Sequence, residues 1–525
     1  MSLQTNKTFI FKKTAQIGFL VIVSRLLGLV REIMQGYYLG INTQSDAFIT
    51  AFRLPNLLRK LFEANGLTAA IVPHTVKMIH EKRRHEVSQF ITTILLALEL
   101  LMLVFCALVW FFPERAILLA APGFVADQVA ATVPVAKIMF PMILGFAGFS
   151  VLSTALHAVN HFLIPALGPT VFNAVYLIGL GVCWNFDLPV NTMAFFVTAA
   201  AMAKFLLLVV AFRVRGFSFS LPSLDVFDDL KITFKRILPC LITFGAMEIN
   251  SFMDIRLSSY LQRGTVTMMY LMHRFYMLPY SIFAVSLGTV LLSQFSDSVL
   301  KNPKRISFYL LECFKLATWF AIPVTVLMIG LSNDFFSPVM FKGRATPELI
   351  ALSGKILSIM VCAFPFQILN KIMFKALLSR NDTTSSMKIT LMSLSVTTAF
   401  NYLLVESLGA YAMAWGTVLC SVLKTVALLL VLWRKHQICL PYAHYFKFLQ
   451  AYAFQFFFGV CFFGFQYATL SQIVSKLSMA VYIESGHLGY WFFVLAVFAS
   501  TLFFLWRTYN YFGIRLYLMP YHTKH

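Results

Sequence analysis

The residues able to do chemistry concentrate between Ser24 and Pro73. This stretch carries Arg25, Arg31, Glu32, Asp46, Arg53, Arg59, Lys60 and Glu63, yet its apolar content suits two membrane helices. A charge at mid-bilayer costs roughly 2.5–3.5 kcal/mol on insertion scales. One such residue is met by snorkelling or by a neighbour, as Arg31 and Glu32 allow; the whole set is tolerable only facing a wet cavity, a partner or a ligand. Charge recognition, rather than bond-making, is the chemistry these side chains offer.

Polar residues interrupt later apolar runs in a similar way, with Glu248, Asn250, Asp254 and Arg256, then His273 and Arg274, then Asn401. Asp225, Asp228 and Asp229 have the composition of a Mg²⁺ site for a lipid-phosphate enzyme. No second acidic motif or catalytic histidine set accompanies them, so a short interfacial helix with an acidic first turn is the favoured reading. His74, His80 and His85 lack the spacing of a ligand pair on one helix and read as solvated loop residues.

The elements that must position these side chains follow from composition. Of 525 residues 59% are hydrophobic and 12% charged, and mean hydropathy is +0.78. A soluble domain has about 25% charged residues, so the chain reads as an all-α integral membrane protein. Windows of about 20 apolar residues give about fourteen spans. The first is Thr14–Leu39, the second Ser45–Val76, the fourth Ala131–His157, the sixth Thr192–Phe212, the seventh Ile237–Leu261, the tenth Leu349–Leu378, the thirteenth Phe446–Leu470 and the last Leu488–Tyr511. The aromatic-rich thirteenth suits either a lipid-facing or a plain packing role.

The formal charge of +21 does not imply nucleic acid here. Basic residues fall in alternate loops, such as Lys77, Lys82, Arg83 and Arg84, then Arg213 and Arg215, then Lys301, Lys304 and Arg305. By the positive-inside rule both termini face the cytoplasm. Cysteines lie in apolar runs without metal-type spacing, which predicts buried thiols.

Several strings give the chain a family resemblance. SRLLGLVRE (Ser24 to Glu32), SDAFITAFRLPNLLRKLF (Ser45 to Phe62) and IVP (Ile71 to Pro73) resemble the MurJ/MviN family of lipid II flippases. APGF (Ala121 to Phe124), FPMIL (Phe140 to Leu144), NHFLIPALGPTVFN (Asn160 to Asn173) and HRFYMLPYSIFAVSLGTVLL (His273 to Leu292) extend the likeness over the first twelve spans. The resemblance implies a fourteen-helix fold with two six-helix lobes around a central cavity. The lobes fall at 1–220 and 221–440, and two extra helices at 441–525 form a groove for a lipid tail.

The implied activity is moving an undecaprenyl-diphosphate-linked peptidoglycan precursor, lipid II, to the outer leaflet of a bacterial inner membrane by alternating access. Membrane lipids and cell-wall synthesis proteins are the implied partners. The family's cavity arginines match Arg25, Arg31, Arg59 and Arg274, and its acids match Asp46 and Glu32. Ser24 and Asn56, in the same strings, complete the candidate substrate-binding set. Arginine suits a diphosphate because its planar fork bonds phosphate bidentately and stays charged. At ~1.5 Å per residue Arg31 and Arg59 reach the same depth, but Arg25 and Arg31 point about 120° apart on a straight helix.

Some members resemble a cation-coupled transporter. Asp254 and Asn401 match two of the cation ligands, whereas Val405 stands where a second acid belongs and Glu406 is one residue off register. This pattern leaves sodium coupling open. Ala64 to Leu67, Ser293 and Ser386 depart from the family's hinge strings. A related exporter of polysaccharide-lipid precursors or drugs, and a membrane enzyme acting on lipid-linked sugars, are the alternatives.

Overall fold

The computed structural model describes residues 3–63, 71–72, 75–79, 81, 84–159, 161–220, 252–277, 279–280, 305–330, 332, 346–380, 382–438, 441–476 and 488–509. The chain is an all-helical membrane protein. Among the described residues no strand occurs, and nine helices are long and apolar enough to cross a membrane. The Asp225, Asp228 and Asp229 loop, Glu248, Asn250, His74, His80, Arg83 and the side chains of Lys60 and His85 lie outside the described residues. The chain divides into two compact units, Met1–Thr267 and Met268–His525.

The first unit holds α1 (Leu3–Leu39), α2 (Thr43–Glu63), α3 (Arg84–Phe111), α4 (Pro113–Ala120), α5 (Ala126–Met139), α6 (Met142–Ala158), α7 (Leu163–Asn185) and α8 (Val190–Val214). A helical segment at 252–258 follows. α1 ends at Gly40, whose φ of 67° is the left-handed conformation that glycine adopts without a Cβ penalty. α2 then starts on a reciprocal cap. Asn42 Oδ1 accepts from the Ser45 N–H at 3.0 Å, and Ser45 Oγ accepts from the Asn42 N–H at 2.9 Å. These bonds satisfy amides that a helix start leaves without partners.

Packing in this unit gathers α1, α2, α6, α7 and α8. α1 lies along α7, α7 along α8, α8 along α6, and α2 against α5 and α6. α3 leans on α6 and turns Leu96, Leu100, Leu101, Leu103 and Val104 outward. That exposed stripe suits hydrocarbon, because lipid tails solvate leucine as well as protein does.

The second unit holds α9 (Arg305–Gly330), α10 (Pro347–Val361), α11 (Phe364–Ser379), α12 (Thr383–Leu408), α13 (Ala410–Arg434), α14 (Tyr442–Lys476) and α15 (Leu488–Thr508). The fourth and tenth spans, each expected as one helix, are broken. One breaks between α5 and α6 at Phe140-Pro141, the other between α10 and α11 beside Phe364-Pro365. Proline supplies no N–H to the helix and its ring clashes with the preceding turn, which accounts for both breaks.

α14 serves both readings of the thirteenth span. Phe454, Phe457, Phe458 and Phe465 are exposed, while Phe448 and Tyr452 pack with Trp319 of α9 and Leu505 and Tyr509. Buried Gln455 ties the three helices together. Its Oε1 accepts from Trp319 Nε1 at 3.3 Å and its Nε2 donates to the Leu505 carbonyl. Six cysteines among the described residues are free thiols.

Candidate functional site

The first unit brings Arg31 and Arg59 onto a shared aromatic surface. α1 and α7 run parallel, and Arg31 and Gln35, one turn apart on α1, face Asn173 and Tyr176 of α7. Arg31 Nη1 donates to Asn173 Oδ1 at 3.0 Å, and the Tyr176 hydroxyl donates to Gln35 Oε1 at 2.7 Å. Asn173 Nδ2 in turn donates to the Ser24 carbonyl at 3.0 Å. The amide therefore fixes the guanidinium to the helix that carries it. Glu32 pairs with Arg31 through its Oε1. The Arg31 guanidinium carbon sits 5.0 Å from the Tyr176 ring centroid and 5.8 Å from that of Phe172.

Arg59 reaches the same surface from α2. Its Nε donates to Asn56 Oδ1 at 2.8 Å, and its guanidinium carbon sits 5.1 Å from the Phe146 centroid. Phe146 and Phe172 touch, with centroids 5.5 Å apart. A ring quadrupole attracts a cation without neutralising it. Each arginine is thus oriented by an amide and a ring, and Arg31 also by the Glu32 carboxylate.

Sequence reasoning missed a third cation here. Lys204 of α8 is only 3% exposed. Its Nζ lies 4.1 Å from the Phe146 centroid, 4.2 Å from that of Phe149 and 6.0 Å from that of Phe172. Gly145 permits this approach, since a Cβ there would stand 2.5 Å from the Ala201 carbonyl oxygen of α8. A larger residue would push α8 away one turn from Lys204.

The other candidates fall elsewhere. Arg25 is exposed, unlike half-buried Arg31; the expected angle between the two explains the difference. Asp46 is buried at the start of α2 and faces residues 264–267, where a helix begins at 265. Its Oδ2 accepts from the Gly264 N–H at 2.6 Å, and its Oδ1 accepts from the Thr267 N–H at 2.8 Å and the Thr267 hydroxyl at 2.7 Å. A carboxylate at that helix N-terminus satisfies unpaired amides and meets the positive end of the dipole. Arg274 lies in the second unit, half-buried, its guanidinium 5.0 Å from the Tyr270 centroid.

Asp254 and Asn401 fall in different units and are described separately. Asp254, half-buried in the 252–258 segment, has Arg53 of α2 as an electrostatic partner. Its sequence neighbour Arg256 instead donates to the Leu119 carbonyl, because positions two apart do not face each other on a helix. Asn401 of α12 is buried, and its Oδ1 has no hydrogen-bond donor among the described residues. It presses on Gly416 of α13, where a Cβ would stand 1.9 Å away. Val405 is buried one turn on and Glu406 is exposed. Among the described residues no cluster of three or more histidine, cysteine or acidic side chains forms a metal site.

Comparison with known proteins adds to this geometry. The family model described as lipid II flippase MurJ matches residues 36–483. Proteins described as probable lipid II flippase MurJ align along most of the chain. That of Aquifex aeolicus is 24% identical over 93% of this chain and 94% of its own. That of Rhizobium tropici is 26% identical over 81% of each. A solved structure titled lipid II flippase MurJ, inward closed conformation, is similar at a TM-score of 0.77 and 21% identity, covering 95% of this chain and 99% of that one. An inward-facing multidrug resistance MATE family transporter is similar at 0.67 and 14%, over 80% and 98%. At these identities the structural likeness shows the fold.

Proposed function

We propose, since the chain belongs to the lipid II flippase MurJ family, that it moves lipid II across the membrane with the diphosphate passing over Arg31 and Arg59 of the first unit. The protein is a transporter, not an enzyme, and no covalent bond changes. A diphosphate with a bulky polar headgroup has to cross hydrocarbon while its tail stays in lipid. Two guanidinium groups at one depth, held by amides on touching rings, meet that need; this arrangement is the observation that carries the proposal. Charge-assisted bonds from arginine to phosphate are short, strong and bidentate. Glu32, Asn56 and the Ser24 backbone orient the arginines.

Asp46 acts in this reading as a tether, its oxygens being taken up by Gly264 and Thr267. Arg25 is a further substrate ligand of the proposal. Both termini and the loop with Arg83 face the cytoplasm, as the basic bias of alternate loops supports. Strong outside labelling of a cysteine at position 83 by an impermeant reagent would overturn that topology.

A sodium ion is a second proposal, resting on the Asn401 oxygen without a donor among the described residues and on the preference of such cations for oxygen ligands. Arg53 is the competing partner of Asp254. Thermal stability across a sodium series, for wild type and Asn401→Leu, decides this. A flat wild-type response removes the ion.

A leaflet-accessibility assay with purified protein in proteoliposomes tests the main proposal. Labelled lipid II should become reachable from the opposite leaflet, unconverted, with wild type and not with Arg59→Ala. Chemical conversion of the lipid would favour the enzyme alternative.

A further inference from the structure

We infer that the groove between α3 and α5 is a binding site for one anionic phospholipid, its acyl chain lying along α3 and its phosphate on the Lys137 ammonium. The helix break at Phe140-Pro141 makes the groove. α3 leans on α6, on one side of the break, and barely meets α5 on the other. A gap of about 320 Å³ opens between them, within the range of small-molecule sites, about 300–1,000 Å³. Leu103 and Cys106 of α3 line it on one side, Phe140 and Pro141 on the other, with Trp110 and Lys137 at one end. Leu100, Leu103 and Val104 are exposed, so the groove opens toward hydrocarbon.

Depth points to a lipid. Trp110 is the penultimate residue of α3, and tryptophan at the end of a span sits at headgroup level. Lys137 Nζ lies 5.2 Å from the Trp110 ring centroid, which places the ammonium at the level of lipid phosphates. Lys137 is 11 residues from the start of α5, about 17 Å. Helix side chains tilt toward the N-terminus, which carries its stem along the groove wall to that ring. Leu103 is seven residues further in on α3, about 10 Å, at the level of acyl chains.

Charge selects the headgroup. Lys137 has no ion pair among the described residues. Asp127 of the same helix is taken by Arg263 at 2.7 Å. Glu99, on the line of α3 that carries Leu103, Cys106 and Trp110, is 11 residues from Trp110, about 16 Å along the axis. On the proposed topology this end of the helices faces away from the cytoplasm, where the positive-inside bias gives no reason for a lysine. An ammonium with three donors at phosphate level takes phosphate oxygens. A zwitterionic headgroup brings its own ammonium to that phosphate, and an anionic one does not.

The test is native mass spectrometry of the full-length protein in detergent with equal amounts of phosphatidylglycerol and phosphatidylethanolamine of identical chains. Wild type should retain one phosphatidylglycerol with a preference of about fivefold, the contribution of one lysine near an anionic surface. Lys137→Met should abolish the preference and Lys137→Arg should keep it, while Cys106→Phe, which fills the groove, should weaken both lipids. Equal retention of the two lipids by wild type, or an unchanged preference in Lys137→Met, overturns the inference. Independently of the variants, phosphatidylglycerol with a photoreactive acyl chain should label wild-type α3 between Leu103 and Phe111. Labelling confined to other helices, or displacement of the lipid from α3 by lipid II, overturns it too.

Discussion

Lys204 in the first unit and Lys315 in the second are both buried in membrane-spanning helices, and they are held in opposite ways. Lys204 rests on the faces of Phe146 and Phe149. Lys315 Nζ lies 2.7 Å from Glu312 Oε1, one turn away on α9, with both side chains nearly sealed from solvent. A carboxylate cancels the charge it binds, whereas a ring leaves it available. The second unit repeats its habit at the start of α12, where buried Asp382 pairs with Lys435 and His436 at 2.8 Å each. Ion pairs of this kind are scaffold. Ring contacts orient the cations of the first unit without themselves supplying a counter-charge. Arg31 combines the two, with Glu32 on one side and Phe172 and Tyr176 on the other.

The largest break in this comparison is Arg59→Ala. Transport should vanish, read as failed complementation of flippase-depleted cells, while the protein inserts at normal levels. Arg59→Lys should recover only part, since it keeps the charge and loses the planar fork. Glu312→Gln comes next and acts on stability instead. Removing one member of a buried pair costs about 3–5 kcal/mol, which should appear as a large drop in Tm. Glu312→Leu with Lys315→Met should recover both stability and transport, which a functional lysine would not allow.

Asp46→Asn should lower stability by about 1.5–3 kcal/mol, the range for hydrogen bonds to a charged group, as measured by denaturation in detergent. The smallest effect concerns Asp382. Burial pushes its carboxyl up, but bonds from Lys435, His436 and Ser385 outweigh that and hold it well below the usual carboxylate range. A carboxyl depressed in the folded state contributes stability that is full above its unfolded pKa of about 3.9 and is lost as pH falls through the folded value. The Tm gap between wild type and Asp382→Asn should therefore be constant near neutrality and shrink only in strong acid.

Hydropathy made the helical architecture readable, because a bilayer demands long apolar helices. It could not place the breaks at Phe140-Pro141 and Phe364-Pro365, since the apolar windows run straight through both. Arg31 and Arg59 stood out as charges inside spans. Lys204 did not, being a single lysine in a long apolar run. Its signal was position, too deep to reach either interface. The rings beneath it are three among 55 phenylalanines, and only tertiary packing separates them from ordinary core. The Asp46 tether was illegible for another reason: its partner Thr267 is 221 residues away, and no local pattern marks such a pairing.

The claim that Arg31 and Arg59 of the first unit receive the diphosphate is tested most directly by a cryo-EM structure of the protein with lipid II in nanodiscs. The account predicts phosphate oxygens within about 3 Å of the Arg31 and Arg59 guanidinium groups. A diphosphate bound only to residues of the second unit, with Arg31 and Arg59 still on their rings, would contradict it.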